Sequence, residues 1–185
     1  AAFSTLNLPF NAKVDVPNNW RIIHGELQTN IQTKTEAASK LSEFQIPKGK
    51  ITNIFRANSV PDTTYAGISV NVSDADIKAE ELNQVTTNDL AEFTPIMKGM
   101  MDRSIAQTGF SVIEFYPVKK IEIDGYPALF LNYKRTGPDG PVLVRMIRLV
   151  IGYREISLNL SYKESEKSMW LPVISYIEKS FRIEQ

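Results

Sequence analysis

From Phe110 to Tyr162 the chain reads as four apolar-rich runs separated by three turns, and this succession limits the possible folds more than any other feature of the sequence. "FSVIEFYPVKKIEI" ends at Asp124-Gly125, a strong two-residue hairpin signal, because the central residues of such a turn need positive φ. "YPALFLNYKR" runs back, "TGPDG" turns the chain, "PVLVRMIRLVI" runs forward, "GY" turns again and "REISLNLSY" returns. Successive strands joined by connections this short pair antiparallel. An antiparallel meander is therefore the expected centre of the fold.

The third and fourth runs pose a question. "VLVRMIRLVIGYREISLNL", residues 142–160, is the most apolar stretch of the chain, and it contains Arg145 and Arg148. An unpaired charge in a core is expensive. A two-residue turn at Gly152-Tyr153 sets Ile151 opposite Arg154, Arg148 opposite Ser157, Met146 opposite Asn159 and Val144 opposite Ser161. A five-residue loop over 136–140 sets Arg135 opposite Pro141, Asn132 opposite Val144, Phe130 opposite Met146 and Ala128 opposite Arg148. Side chains alternate between the faces of a sheet, so two groups follow. Leu129, Leu131, Tyr133, Leu143, Ile147, Leu149, Ile156, Leu158 and Leu160 make a core face, with Arg145 among them. Asn132, Lys134, Val144, Met146, Arg148, Glu155, Ser157, Asn159 and Ser161 make an amphipathic face. Glu155 is a diagonal neighbour of Arg148, within reach of a long side chain. Arg145 either snorkels from a sheet end or pairs with an acid that the sequence does not identify. Arg148 is either one half of a surface ion pair or the centre of a shallow polar site. That candidate binding site comprises Arg148, Asn132, Ser157, Asn159 and Glu155, a set able to hold a carboxylate or a partner loop through charge-assisted bonds. A one-residue bulge would exchange these assignments.

The rest of the chain supplies flanking elements. "AKVDVPNNWRII" reads as a strand, a turn at Pro17 and the Asn pair, and a second short strand. Between 29 and 60, "EAASKLSEF" fits a short helix and "ITNIFRANSV" a strand. In "YAGISVNVSDAD", Ile68, Val70 and Val72 alternate with Ser69, Asn71 and Ser73, as in a half-buried strand. "TTNDLAEFTPIMKGMMDRSIAQTG" places Leu90, Phe93, Met97, Met100, Met101 and Ile105 on one helical stripe. Thr87 is the expected N-cap and Gly109 the C-terminal stop. The methionine stripe serves either core packing or an adaptable binding groove. In "MWLPVISYIEKSF", Trp170, Val173, Ile174, Ile177 and Phe181 form a second stripe, with Pro172 expected in the first turn.

Composition narrows the functional classes. The chain has 185 residues, 21 basic and 21 acidic, so no charge excess points to nucleic acid. No apolar run approaches the roughly 20 residues of a membrane span. With no cysteine, thiolate metal sites and cysteine nucleophiles are excluded. His24 is the only histidine, too few for a histidine zinc site or a His-dependent relay. "SDADIKAEEL" starts like a calcium loop with Asp74 and Asp76, followed by Glu80 and Glu81, but Lys78 and Ala79 stand where an oxygen ligand and a glycine belong. Neither a metal site nor a cofactor is expected. "TGPDGP" is phosphate-loop-like only in its glycines and reads as a hairpin loop. Residues 1–12 read as an N-terminal extension and 13–185 as one domain.

"VDVPNNW", "IDGYPALFLNYKRTGPDG" and the terminal "WLPVISYIEKSFRI" together resemble the PsbP/Mog1/DcrB group. The matching positions are Pro17 and Trp20; Gly125, Pro127 and Ala128; and Ser180, Phe181 and Ile183. The resemblance implies an α+β fold, an α/β/α sandwich around a central antiparallel sheet, and a function in binding rather than catalysis. It implies a periplasmic or secreted protein, and the small residues of "AAFSTLNLPF" fit a chain trimmed after a signal peptide. The leading expectation is a non-catalytic envelope binding or adaptor protein with a protein partner. The alternatives are a chaperone-like module that shelters an apolar segment, and a small-ligand carrier or His-independent enzyme.

Overall fold

The structure, a computed structural model, describes residues 2–23 and 51–185. His24 and the short helix expected in "EAASKLSEF" lie outside the described residues. The strands are β1 (Phe3–Asn7), β2 (Ala12–Pro17), β3 (Arg21–Ile22), β4 (Thr52–Asn58), β5 (Ala66–Asp74), β6 (Val112–Phe115), β7 (Lys119–Ile123), β8 (Tyr126–Arg135), β9 (Val142–Ile151), β10 (Arg154–Lys163) and β11 (Arg182–Ile183). The described helices are α1 (Ala79–Asn83), α2 (Thr87–Ala106) and α3 (Lys167–Ser180). The central antiparallel sheet has the order β3-β4-β5-β10-β9-β8-β6, with β7 also on β8, and a smaller sheet has the order β1-β2-β11.

The meander forms as its turns dictate. Asp124 and Gly125 both adopt positive φ at the β7–β8 turn, and Gly152 does so at the β9–β10 turn. Pro117 has no N–H to donate to a ladder. The run expected as one strand before Asp124 is accordingly divided into β6 and β7, both paired with β8.

One face of the central sheet packs on the small sheet and on α3. Leu158 and Leu160 of β10, Val70 and Val72 of β5, Val14 and Val16 of β2, and Ile174 and Ile177 of α3 share this main core. Residues 3–7, read from the sequence as part of an extension, form β1, and Leu6 and Leu8 are fully buried in the same core. The resemblance residues all hold the architecture. Trp20 meets Trp170 edge-on at 6.0 Å between ring centroids. Asp15 N–H donates to Ser180 Oγ at 2.8 Å, and Phe181 is buried. Pro172 lies a turn further into α3 than expected, because the helix already starts at Lys167 after a 3-10 turn.

Helix α2 lies on the opposite face. Its N-cap is Thr86, one residue before the expected Thr87: Asp89 N–H donates to Thr86 Oγ1 at 3.2 Å and Thr86 N–H to Asp89 Oδ2 at 2.8 Å. That reciprocal pair satisfies two otherwise orphaned donors. Gly109, at φ 84°, follows the end of the helix. Leu90, Met97, Met101 and Ile105 pack on Leu131, Val144, Met146 and Phe115. Phe93 and Met100, expected on the same stripe, are 40% and 49% exposed. Among the described residues, the helix thus covers β8 and β9 and leaves much of β10, β5 and β4 open on this side. No described helix is long and apolar enough to cross a membrane.

Candidate functional site

The open part of the sheet is the floor of a cleft of about 790 Å³ running beside α2. Its composition follows from strand register. Cross-strand rows traverse this side of the sheet: Asn53, Asn71, Ser157, Arg148, Leu129; then Arg56, Ser69, Asn159, Met146, Leu131; then Asn58, Gly67, Ser161, Val144, Tyr133. Each row runs from polar residues on β4, β5 and β10 to mainly apolar ones on β9 and β8. Helix α2 adds an apolar wall of Met97, Met100, Met101 and Ile105. The cleft therefore has a polar floor and a thioether-rich side.

The expected β9–β10 register is present: Arg148 pairs with Ser157, Met146 with Asn159 and Val144 with Ser161. Arg148, Glu155, Ser157 and Asn159 consequently share the cleft. The expected β8–β9 register is not present. Arg135 pairs with Val142 rather than Pro141, so six residues, 136–141, join the strands. A one-residue slip moves every side chain of a strand to the other face. Asn132 therefore pairs with Arg145 and belongs to the opposite face, away from the candidate site, while Leu129, Leu131 and Tyr133 move to the cleft side.

Both arginines have partners. Arg145 lies on the α3 side. Its Nε and Nη2 donate to the two carboxylate oxygens of Glu178 at 2.6 and 3.0 Å, and its guanidinium lies 5.2 Å from the centre of the Phe130 ring. The acid that the sequence left unidentified is thus on the terminal helix. Hydrogen bonding to Glu178 raises the Arg145 pKa against the effect of burial. Arg148 Nε donates to Glu155 Oε1 at 3.0 Å, and Nη2 reaches Asp76 Oδ2 at 3.3 Å. The Glu155 side chain is 9% exposed. Desolvation raises its pKa, while Arg148 and a hydrogen bond with Ser73 oppose the rise.

The acidic run that starts like a calcium loop is dispersed into separate contacts. Asp74 pairs with Arg154, Asp76 with Arg148, and Glu81 accepts from Lys78 N–H at 3.4 Å.

Some groups on this side of the sheet lack protein partners among the described residues. Asn53 Oδ1 and Asn159 Oδ1 are buried with no hydrogen-bond partner. Arg56 lines the cleft with no ion-pair or hydrogen-bond partner for its guanidinium among the described residues. Sequence reasoning missed Arg56 because its face depends on a β-bulge. Asn53 pairs with Asn71, the register shifts at Ile54, and Phe55 then pairs with Val70. Ile54 and Phe55 are both fully buried, and Arg56 emerges on the cleft side. Ser69 and Asn71 were legible as the polar side of an alternating strand.

No protein-family model matches the chain, and no curated protein matches it by sequence. Solved structures do resemble it. Cyanobacterial PsbP (CyanoP) from Synechocystis sp. PCC 6803 is 13% identical with a TM-score of 0.65, covering 100% of this chain and 94% of that one. LpqN, involved in cell envelope biogenesis of Mycobacterium tuberculosis, is 12% identical with a TM-score of 0.49, covering 94% and 83%. PA94 from Pseudomonas aeruginosa is 10% identical with a TM-score of 0.44, covering 100% and 99%. The likeness to CyanoP establishes the fold as PsbP-like, the α+β architecture expected from the turn and terminal-helix motifs.

Proposed function

We propose that this chain is a non-catalytic binding protein of the cell envelope, periplasmic or secreted, whose cleft beside α2 receives a partner or ligand. The observation that carries the reading is the convergence of methionines. Four of the five in the chain, Met97, Met100, Met101 and Met146, line this one cleft. Methionine is flexible and polarizable, and it suits surfaces that adapt to what they bind. The volume also falls within the range of about 300–1,000 Å³ typical of ligand sites.

The polar groups support binding over catalysis. The cleft hydroxyls on β5 and β10 belong to serines, and Ser161 Oγ lies 2.8 Å from the Tyr65 phenol rather than from a base. Glu155 and Asp76 are both held by Arg148. The compartment rests on the resemblance of the terminal and hairpin motifs, and fractionation of cells producing the full-length protein tests it.

A photoreactive group at Ser104, an exposed cleft residue of α2, tests the cleft itself. Capture of a defined partner from Ser104 that fails from Glu122, and fails when Ser69→Trp fills the floor, is the expected result. Equal capture from both positions, or capture indifferent to Ser69→Trp, overturns the reading.

A further inference from the structure

The cleft is polar along one side and apolar along the other, and this limits what can occupy it. A ligand with a polar head and an apolar tail, such as a fatty acid, would lay its tail over Ser69, Asn71, Ser157 and Asn159. Covering those groups without hydrogen-bonding them is costly. An extended peptide has the complementary cross-section, because its amide groups lie along one side while apolar side chains point elsewhere. Serine and asparagine side chains both donate and accept, so together they serve either peptide group. Asn159 Oδ1 in particular is a buried acceptor without a donor. A peptide N–H supplies such a donor.

Charge adds a second restriction. Arg148 faces the same floor but is paired with Glu155 and Asp76. Arg135 at the far side donates to Thr136 O at 3.0 Å and lies over the Phe110 ring. Among the described residues, Arg56 has no partner for its guanidinium, on the row that also holds Ser69, Asn159 and Met146. The bulge at Ile54 is what aims it there, and bulges re-aim side chains in this way.

We infer that the cleft binds an extended peptide segment carrying a carboxylate, with the carboxylate on Arg56, amide groups over Ser69 and Asn159, and apolar side chains against Met97, Met100 and Met101. This inference rests on the cleft being the binding site, as proposed above, and adds the class of ligand.

The methionine methyl groups report on it directly, because Met169 lies on α3, outside the cleft, and serves as an internal control. The full 185-residue chain, labelled at its methionine methyls, is titrated with three pools of acetylated hexapeptides randomised over Ala, Val, Leu, Ser and Thr. The first ends in a free carboxylate, the second carries one Glu and a C-terminal amide, and the third has the amide and no charge. Dodecanoate serves as the lipid comparison. The expected result is movement of the four cleft methyls while Met169 stays fixed, with the carboxylate-bearing pools binding at least about tenfold more tightly than the neutral pool. Arg56→Gln removes that difference without changing the urea midpoint, since Arg56 has no partner among the described residues to lose. The inference is overturned if the neutral pool binds as tightly, if dodecanoate binds more tightly than every peptide, or if no pool moves the cleft methyls. Any of these alongside site-specific capture from Ser104 leaves the cleft as a binding site for another ligand class. Failure of both experiments removes the cleft reading as well.

Discussion

Arg145 and Arg148 stand three positions apart on one strand, and alternation sends them to opposite faces. Arg145 ties the sheet to α3 through a two-pronged contact with Glu178. Both side chains are about a quarter exposed, at 26% and 23%, so the pair is worth more than an open surface bridge. Hydrogen bonds to charged groups contribute about 1.5–3 kcal/mol. Arg145→Ala is expected to lower unfolding stability by about 2 kcal/mol. In a double-mutant cycle with Glu178→Ala, the combined loss should fall short of the sum by about 1 kcal/mol; strict additivity would show that the contact adds nothing. Arg148 behaves differently because its partner is buried. Desolvation already places the Glu155 pKa above its ordinary value, and removing Arg148 raises it further. A carboxyl with a higher pKa folded than unfolded contributes stability below its unfolded pKa, about 4.3, and loses that contribution as pH rises through the folded value. Arg148→Ala should therefore lie close to wild type near pH 4 and become less stable toward pH 7 and above. Urea unfolding across that range measures this; a pH-independent difference would mean that Glu155 is not the group exposed by the change.

At the scale of elements, the cleft wall depends on how α2 begins. Thr86 and Asp89 close its first turn reciprocally, and the hydrogen bond from Thr86 N–H holds the Asp89 carboxyl below its ordinary value. Thr86→Ala should cost about 1 kcal/mol, read as a lower urea midpoint, and should loosen the methionine wall. Elements of this kind were legible from sequence where local chemistry set them. Asp124-Gly125 and Gly152-Tyr153 are turns whose backbone needs are written in the residues themselves, so β7, β8, β9 and β10 and the β9–β10 register could be counted out. The β8–β9 register was not legible. "TGPDGP" closes equally well as a five- or six-residue loop, and nothing in its composition distinguishes them. The consequence of one residue was large, because it moved Asn132 off the site and brought Leu131 and Tyr133 onto it. The bulge that turns Arg56 toward the cleft was hidden for a related reason. A run such as "NIFRAN" does not reveal which residue is the extra one until two buried faces compete for Ile54 and Phe55. Four of the five candidate site residues, Arg148, Glu155, Ser157 and Asn159, lie together because their placement depends only on the tight β9–β10 turn.

At the scale of the whole molecule, the central sheet separates two regions with different tolerances. The side toward α3 is closed and dense, and its terminal residue Phe181 is 4% exposed. Phe181→Ala should cost about 3–5 kcal/mol. Met100, 49% exposed on the cleft wall, should tolerate Met100→Ser within about 0.5 kcal/mol. Paired urea titrations of the two variants measure the contrast, and a comparable loss from both would show that the wall is part of the core. Because β5 and β10 alternate strictly, each second residue serves one region and its neighbours serve the other. The two sets of letters are interleaved in the sequence yet physically insulated by the thickness of a backbone. A lineage could thus rewrite the serines and asparagines at positions 69, 71, 157 and 159 to suit a new ligand, while Ile68, Val70, Val72, Ile156, Leu158 and Leu160 keep the protein folded.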